Sequence, residues 1–364
     1  MPDEATLAEG SITVSNLFLT QSDLKLGIQA GRIIVTNLGD GFSESIPIEK
    51  VDSISVFGSP QISTQLIHKC LDCGIPVFYF SSDGHYFGAL SSSTRIDPSR
   101  HKKQITATED SRFSLEIAKC IVSAKIVNSI MLLRSYRDRY EFSPEQTKAL
   151  VHSLRSLPSA STVSELIGFE GNAAKCYFQC LACLVGDGKF AFCGRSSRPP
   201  RDAFNSMLSF GYSLLYHTII GAIERHGLHP YFAFVHQLKN GHAALASDLI
   251  EDSRARVVDK TILDLVLRCE VEESGFYENG AGALYMTNGT MRTVSNAISA
   301  AILENRKFFS SSADRRKYSF QSALDKKIVT LINAIDAGNP GLYQPFIWEL
   351  NADGAASRGD ASNV

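Results

Sequence analysis

The apolar pattern of this chain changes character near residue 100, and that change limits the folds open to it. Up to about residue 92 the apolar residues fall in short β-rich runs: Ile33-Ile34-Val35, Ile46 with Ile48, Ile54 with Val56, and Val77-Phe78-Tyr79-Phe80. Gly, Asp and Ser turns separate them. One helix interrupts the runs, with Ser59 as its cap, Pro60 at its first position and Gly74 just past its end. Ile62, Leu66, Ile67, Cys70 and Leu71 supply its buried stripe. From about residue 105 the spacing becomes helical. A long helix is expected from Glu109 to about Arg137, and another from Ser143, where Ser143 and Gln146 stand at capping-box spacing. Thr162 and Glu165 have the same spacing and open the next helix. Asp202 caps a helix running to Gly227, and further helices are expected over 254–268, 290–306 and 317–336. The predicted architecture is α+β. A small β-rich domain covers 1–92, a linker 93–104, a larger all-helical domain 105–350 and a disordered tail 351–364.

Composition narrows the function classes. A hydrophobic content of 44% with 20% charged residues is that of a folded protein with a large core. The net charge of −2 gives no global basic signature, so any nucleic-acid contact must use local patches. Candidates are Arg100 to Lys103, the triplet Arg195, Arg198 and Arg201, the run Arg315 to Lys317, and Lys326-Lys327; each alone also reads as solvated surface. The start MPDEATLAEG lacks a basic stretch and an apolar core, and no run reaches the ~18 apolar residues of a membrane span. Eight cysteines in 364 residues do not make a disulfide scaffold, and a reducing cytoplasm is the expected location. There is no P-loop, no G-x-G-x-x-G and no G-x-S-x-G.

Four residues carry the chemistry. Glu170 stands in a helix otherwise full of Ala, Cys, Tyr and Phe, where an unpaired carboxylate is expensive; a metal or an arginine would serve as partner. His236 has an apolar approach, Phe232-Ala-Phe-Val, with His242 as a nearby competitor. Asp248 and Glu251, three apart, share a helix face, with Asp252 beside them. Three carboxylates and a neutral imidazole suit a hard divalent cation that keeps positions open for a phosphate. Asn205, Ser209, Tyr212 and Tyr216 also share one helix face, either as satisfied core groups or as the lining of a polar cleft. Cys176, Cys180 and Cys183 form C-x3-C-x2-C, the spacing of radical iron–sulfur enzymes. Cluster ligands of that type sit on a loop, whereas these fall in a helical pattern and read as a packing stripe. Cys70 and Cys73 have no matched second pair for zinc.

An ordered set of motifs resembles one family. IPIEKVDSISVFGSPQIST with CGIPVFYFS, then GFEGNAAKCYF, then RPPRDAFNSMLSFGYSLLYH with GLHPYFAFVHQ, then SDLIED and Tyr343-Gln-Pro-Phe, span nearly the whole chain. Together they resemble the CRISPR-associated adaptation integrase and endonuclease family, Cas One. The resemblance implies a metal, Mg²⁺ or Mn²⁺, held by Glu170, His236 and Asp248, with Glu251 as a supporting or alternative ligand. It places Asn205, Ser209 and Tyr212 on the cleft, with Lys239 as a basic residue past the histidine and Arg198 and Arg201 nearby. It implies joining of a captured duplex's 3′-hydroxyl to the CRISPR repeat, with related nuclease activity. Two staggered cuts need two sites and one chain carries one, which argues for a homodimer or more; the β-rich domain holds none of the proposed ligands, so dimerisation is its expected job, and the resemblance adds a small partner, Cas Two. Two departures stand out: Gly241-His242 where members carry Gly-Arg, and Asp252-Ser253-Arg254-Ala255 where they carry an aromatic and Arg-Pro. The rivals are a DNA-binding homologue with an inactive site and an iron–sulfur enzyme.

Overall fold

The computed structural model describes residues 16–348 except 83, 94–95, 141, 197–198, 280–281 and 310–315. The first ten residues, the expected tail, Arg198, Arg315 and the Gln146 side chain of the expected capping box lie outside the described residues. The β-rich part holds eight strands: β1 (Asn16–Leu19), β2 (Leu24–Gln29), β3 (Arg32–Asn37), β4 (Ser43–Pro47), β5 (Ser53–Phe57), β6 (Gln61–Ile62), β7 (Val77–Phe80) and β8 (Tyr86–Leu90). They form two four-stranded sheets, ordered β1-β5-β7-β8 and β4-β3-β2-β6. Between β6 and β7 lies helix α1 (Thr64–Cys73). It starts later than its sequence suggests. Ser63, not Ser59, accepts the capping bond from the Leu66 amide, because Gln61 and Ile62 are held as a strand against Lys25 and Leu26 of β2. Gly74 ends it in the left-handed conformation expected of a C-terminal glycine.

The helical part comprises α2 (Pro98–Glu109), α3 (Ser111–Ser135), α4 (Pro144–Ser156), α5 (Val163–Val185), α6 (Ala203–Arg225), α7 (Ala244–Ile250), α8 (Lys260–Leu267), α9 (Asn288–Leu303) and α10 (Phe320–Ala337). A hairpin of β9 (Phe276–Glu278) and β10 (Leu284–Met286) interrupts it, so this part is not all-helical. Residues 98–104 of the expected linker belong to α2, which Asp97 caps. Two of the expected starts hold: Thr162 accepts from the Glu165 amide and Asp202 from the Asn205 amide.

The two parts share a core. Ile54 and Val56 of β5 and Val77 of β7 face the β-domain interior, while Phe57, Phe78 and Phe80 join the helical core. Alternation along a strand sends successive side chains to opposite faces, so a strand apolar at every position is buried on both. Phe57 stacks on Phe80 at 4.5 Å and meets Phe210 of α6 at 5.5 Å. Helix α6 is long and apolar enough to cross a membrane by length and composition, which the sequence reading did not anticipate. Most of its residues are buried inside the protein, which is the placement of a core helix.

Gly211 lets α6 approach the segment before α8 closely. A Cβ there would lie 2.6 Å from Val258 Cγ1. Gly211→Ala is expected to lower stability by about 1–3 kcal/mol through overpacking. Val258→Ala in the same chain should recover part of that loss in a urea unfolding series, and additive losses would refute the contact.

Candidate active site

The chain places its chemistry where α3, α5 and the region from the end of α6 through α7 meet. Glu170 projects from the second turn of α5 and Glu251 stands just past the end of α7. Lys125, from the middle of α3, donates to Glu170 Oε1 and lies 2.7 Å from Glu251 Oε2. Arg254 Nη1 reaches both Glu251 oxygens, at 3.1 and 3.2 Å. Burial alone would raise the Glu251 carboxyl, but the Lys125 and Arg254 charges outweigh it and bring it down to about 2. Glu251 therefore stays ionised at neutral pH.

His236 sits on the loop between α6 and α7. Asp248, fully buried in α7, organises that loop. Its Oδ2 accepts the Phe234 and Val235 amides at 2.6 and 2.9 Å. Its Oδ1 accepts the His236 amide at 3.0 Å and stands 2.8 Å from His236 Nδ1. A carboxylate accepts the Nδ1 proton, so the neutral ring carries its lone pair on Nε2. Burial disfavours the charged ring, yet the Asp248 bond and the Asp248 and Glu251 charges raise its pKa overall. The loop is braced from elsewhere too. Buried Gln104 of α2 donates to the His229 and Phe232 carbonyls and accepts the His229 amide, each at 2.8 Å. The segment expected as a linker thus helps hold His236.

His236, Glu251 and Arg254 line a cleft of about 450 Å³, together with Ser209, Tyr212 and Tyr216 of α6. Tyr212 lies between two guanidinium groups, with Arg254 at 4.3 Å and Arg195 at 5.3 Å from its ring centre. Its hydroxyl donates to Asp259, which also accepts from Tyr177 at 2.6 Å. Burial first and the Asp259 charge next push the Tyr212 phenol well up, so it remains a donor. Asp259 closes a π-helical turn, Ala255–Asp259, just after Arg254.

The profile of the family described as CRISPR associated protein Cas1 matches residues 17–300. The chain belongs to the Cas1 family. A CRISPR-associated endonuclease Cas1 of Mycobacterium tuberculosis is 40% identical over 325 residues, covering 89% of this chain and 95% of that one. A solved Cas1 protein of Thermotoga maritima superposes with a TM-score of 0.75 at 25% identity, over 92% of this chain and 99% of that one. A casposase bound to integration product shares the fold, with a TM-score of 0.75 at 21% identity over 89% and 91% of the two chains.

Against the Cas1 resemblance, several expected residues take other places. Asp248 has both oxygens occupied by amides and the imidazole, which is the setting of a loop anchor rather than of an open-site ligand. Asn205 does not line the cleft: it is fully buried, accepts from Arg195 Nη1 at 2.9 Å and donates to the Gly194 carbonyl at 2.9 Å. Arg195 Nη2 donates to Ser209 at 2.9 Å, so this stripe is both a satisfied network and, at Ser209, Tyr212 and Tyr216, a cleft wall. Asp252 is taken by buried Lys327 at 2.8 Å. His242 stands 3.1 Å from Ser247 and lines the same cleft. Lys239 and Arg201 are exposed.

The cysteine stripe is a packing feature. Cys180 is buried in α5, and burial first, then neighbouring thiols, push its thiol up to about 12. Cys70, in α1, is likewise buried and pushed up to about 11.

Sequence reasoning missed Lys125. The signal was present: a lone lysine among Ile121, Val122, Ala124 and Ile126 poses the partner question that Glu170 raised. Asp259 and Tyr177 were missed because nothing local distinguishes them from ordinary helix residues.

Proposed function

We propose that this chain cuts DNA and joins DNA ends at a metal-assisted site made by Glu170, His236 and Glu251, with Asp248 orienting the histidine from behind. The observation that carries the reading is the convergence of two carboxylates on one ammonium, with one of them, Glu251, sharing a cleft with an imidazole. Lys125, an ammonium held between the acids, acts as a stand-in ion and supports the reading of a cation there. Two carboxylates and a neutral imidazole suit Mn²⁺ or Mg²⁺. A divalent ion held there would neutralise charge that builds on the attacked phosphate.

The chain's own groups do the rest. Asp248 keeps the imidazole in one tautomer and one orientation. Arg254, held by Glu251 and the Tyr212 ring, and Arg195, held by Asn205 and Ser209, place two fixed positive charges along the cleft for a DNA backbone. In joining, the 3′-hydroxyl oxygen of a captured duplex bonds to the repeat's phosphorus, and the original 3′ oxygen leaves with the proton balance closed by solvent. In cutting, water takes the place of that hydroxyl. The protein's contribution is position and charge.

Two staggered joins need two sites, and one chain supplies one, so a homodimer is the working unit. Phe42, 67% exposed, and Phe87, 68% exposed, sit on the β-rich part and support that part as the contact. A small Cas2 partner would fix the spacing between two such dimers.

The test is strand transfer by purified protein with 3′-hydroxyl duplexes, repeat-containing supercoiled plasmid and Mn²⁺, with and without Cas2. Joined product that disappears in Glu170→Ala and His236→Ala establishes the reading. Folded, Mn²⁺-binding wild type that yields no product leaves a DNA binder with an inactive site. DNA affinity gives a second check: Lys239→Ala and Arg201→Ala should each weaken binding across sequences and lower the salt slope by about one. An unchanged slope removes those residues from the interface.

A further inference from the structure

The ammonium of Lys125 occupies the space a divalent ion would need in order to touch both Glu170 and Glu251. It donates to Glu170 Oε1 and stands 2.7 Å from Glu251 Oε2, and all three side chains are largely withdrawn from solvent. The local ledger is already neutral, with Lys125 and Arg254 against Glu170 and Glu251. Adding a divalent ion beside Lys125 would put like charges within a few ångströms in a poorly screened setting. Among the described residues, no three His, Cys, Asp or Glu side chains stand as a ready metal cluster. Lys125 has somewhere to go. Lys125, Glu170 and Glu251 share with Ser129, Tyr177 and Asp259 a cavity of about 20 Å³, room for one water-sized group, and its walls carry two hydroxyls and, beyond the two glutamates, one carboxylate.

We propose that Lys125 is a built-in competitor for the metal: its ammonium bridges Glu170 and Glu251 in the metal-free protein, and a divalent ion enters by displacing it. This rests on the assignment of Glu170 and Glu251 as ligands. Lys125 is thus a positioning residue. It keeps two like charges together when no ion is present, and it scales apparent metal affinity down to the fraction of molecules in which the bridge is open. The site then commits to a metal only where the ion is abundant or where a bound DNA phosphate helps to hold it.

The experiment is Mn²⁺ binding to the full chain by titration calorimetry, without DNA, alongside thermal melts with and without Mn²⁺. Lys125→Met removes the charge and keeps the stem; it should bind Mn²⁺ at least about ten-fold tighter than wild type. It should also melt lower without metal and gain more from Mn²⁺ than wild type does. Lys125→Arg, which keeps the cation, should show no such gain. Lys125→Gln, which keeps a donor without the charge, gives the same direction as Lys125→Met should the latter fail to fold. A lysine with a merely structural role predicts the opposite, a splayed site with weaker binding. Glu170→Gln and Glu251→Gln separate the two layers of the argument. Binding lost in both, yet not tightened by removing the Lys125 charge, overturns the proposal and leaves the site standing. Binding indifferent to both glutamates overturns site and proposal together.

Discussion

Glu251→Gln is expected to abolish metal-dependent joining and cutting of DNA, with a loss of at least about a thousand-fold, while the fold survives. Glu251 shares an ammonium with Glu170 and lines the cleft beside His236, so on the proposed reading its carboxylate faces the reacting phosphate. Lys125 retains Glu170 as its partner in the variant, and Arg254, which loses the Glu251 carboxylate, keeps the Tyr212 ring and the nearby Asp259 charge. Asp248→Asn should behave differently. Asp248 accepts three backbone amides and the imidazole, and an amide group turned into that position offers a donor where acceptors are required. The expected loss is about 1–3 kcal/mol of stability, with His236 released from its orientation and Mn²⁺ binding weakened but retained. Paired Mn²⁺ titrations and melts decide between the two carboxylates. Wild-type Mn²⁺ affinity in Glu251→Gln, with binding gone in Asp248→Asn, would return Asp248 to the metal.

Lys327→Ala is expected to cost about 3–5 kcal/mol, because it leaves a buried carboxylate without its cation. Lys327 is fully buried and Asp252 is 2% exposed. The ammonium donates to Asp252 Oδ1 and to the Leu249 carbonyl, both at 2.8 Å, and lies 4.0 Å from the centre of the Phe346 ring. Asp252 Oδ2 accepts the Phe346 amide at 2.9 Å. Asn128 continues the clasp, donating to the Phe346 carbonyl at 2.9 Å and accepting the Trp348 amide at 2.7 Å. The pair therefore fastens the 343–348 segment over α3 and α7. Urea unfolding should show the loss, and limited proteolysis should cut that segment first. A loss under about 1 kcal/mol would mean the pair is solvated after all.

Much of this was visible along the chain. The long helices announce themselves through spacing and caps, since Thr162 and Asp202 act on amides three residues away. The β-rich start was also legible, and Glu170, His236 and Glu251 could be named as candidates, of which the structure sets His236 and Glu251 on the cleft. The misreadings have non-local causes. Ser59 and Ser63 are both acceptable caps, and pairing of Gln61 and Ile62 with β2 chose between them. Residues 98–104 have a linker's composition, yet Gln104 is locked to a loop 125 residues away.

What the sequence by itself determined is therefore the set of helices, the division into a strand-rich start and a helical remainder, and the candidate carboxylates and imidazole. Those depend on periodicity and on contacts within a turn. What only the tertiary structure decided is which of two carboxylates three residues apart faces the cleft. The amides of residues 234–236 capture Asp248, and that leaves Glu251 to meet Lys125 and Arg254. Such capture depends on a loop folding back on a helix, and no local pattern encodes which acid it reaches.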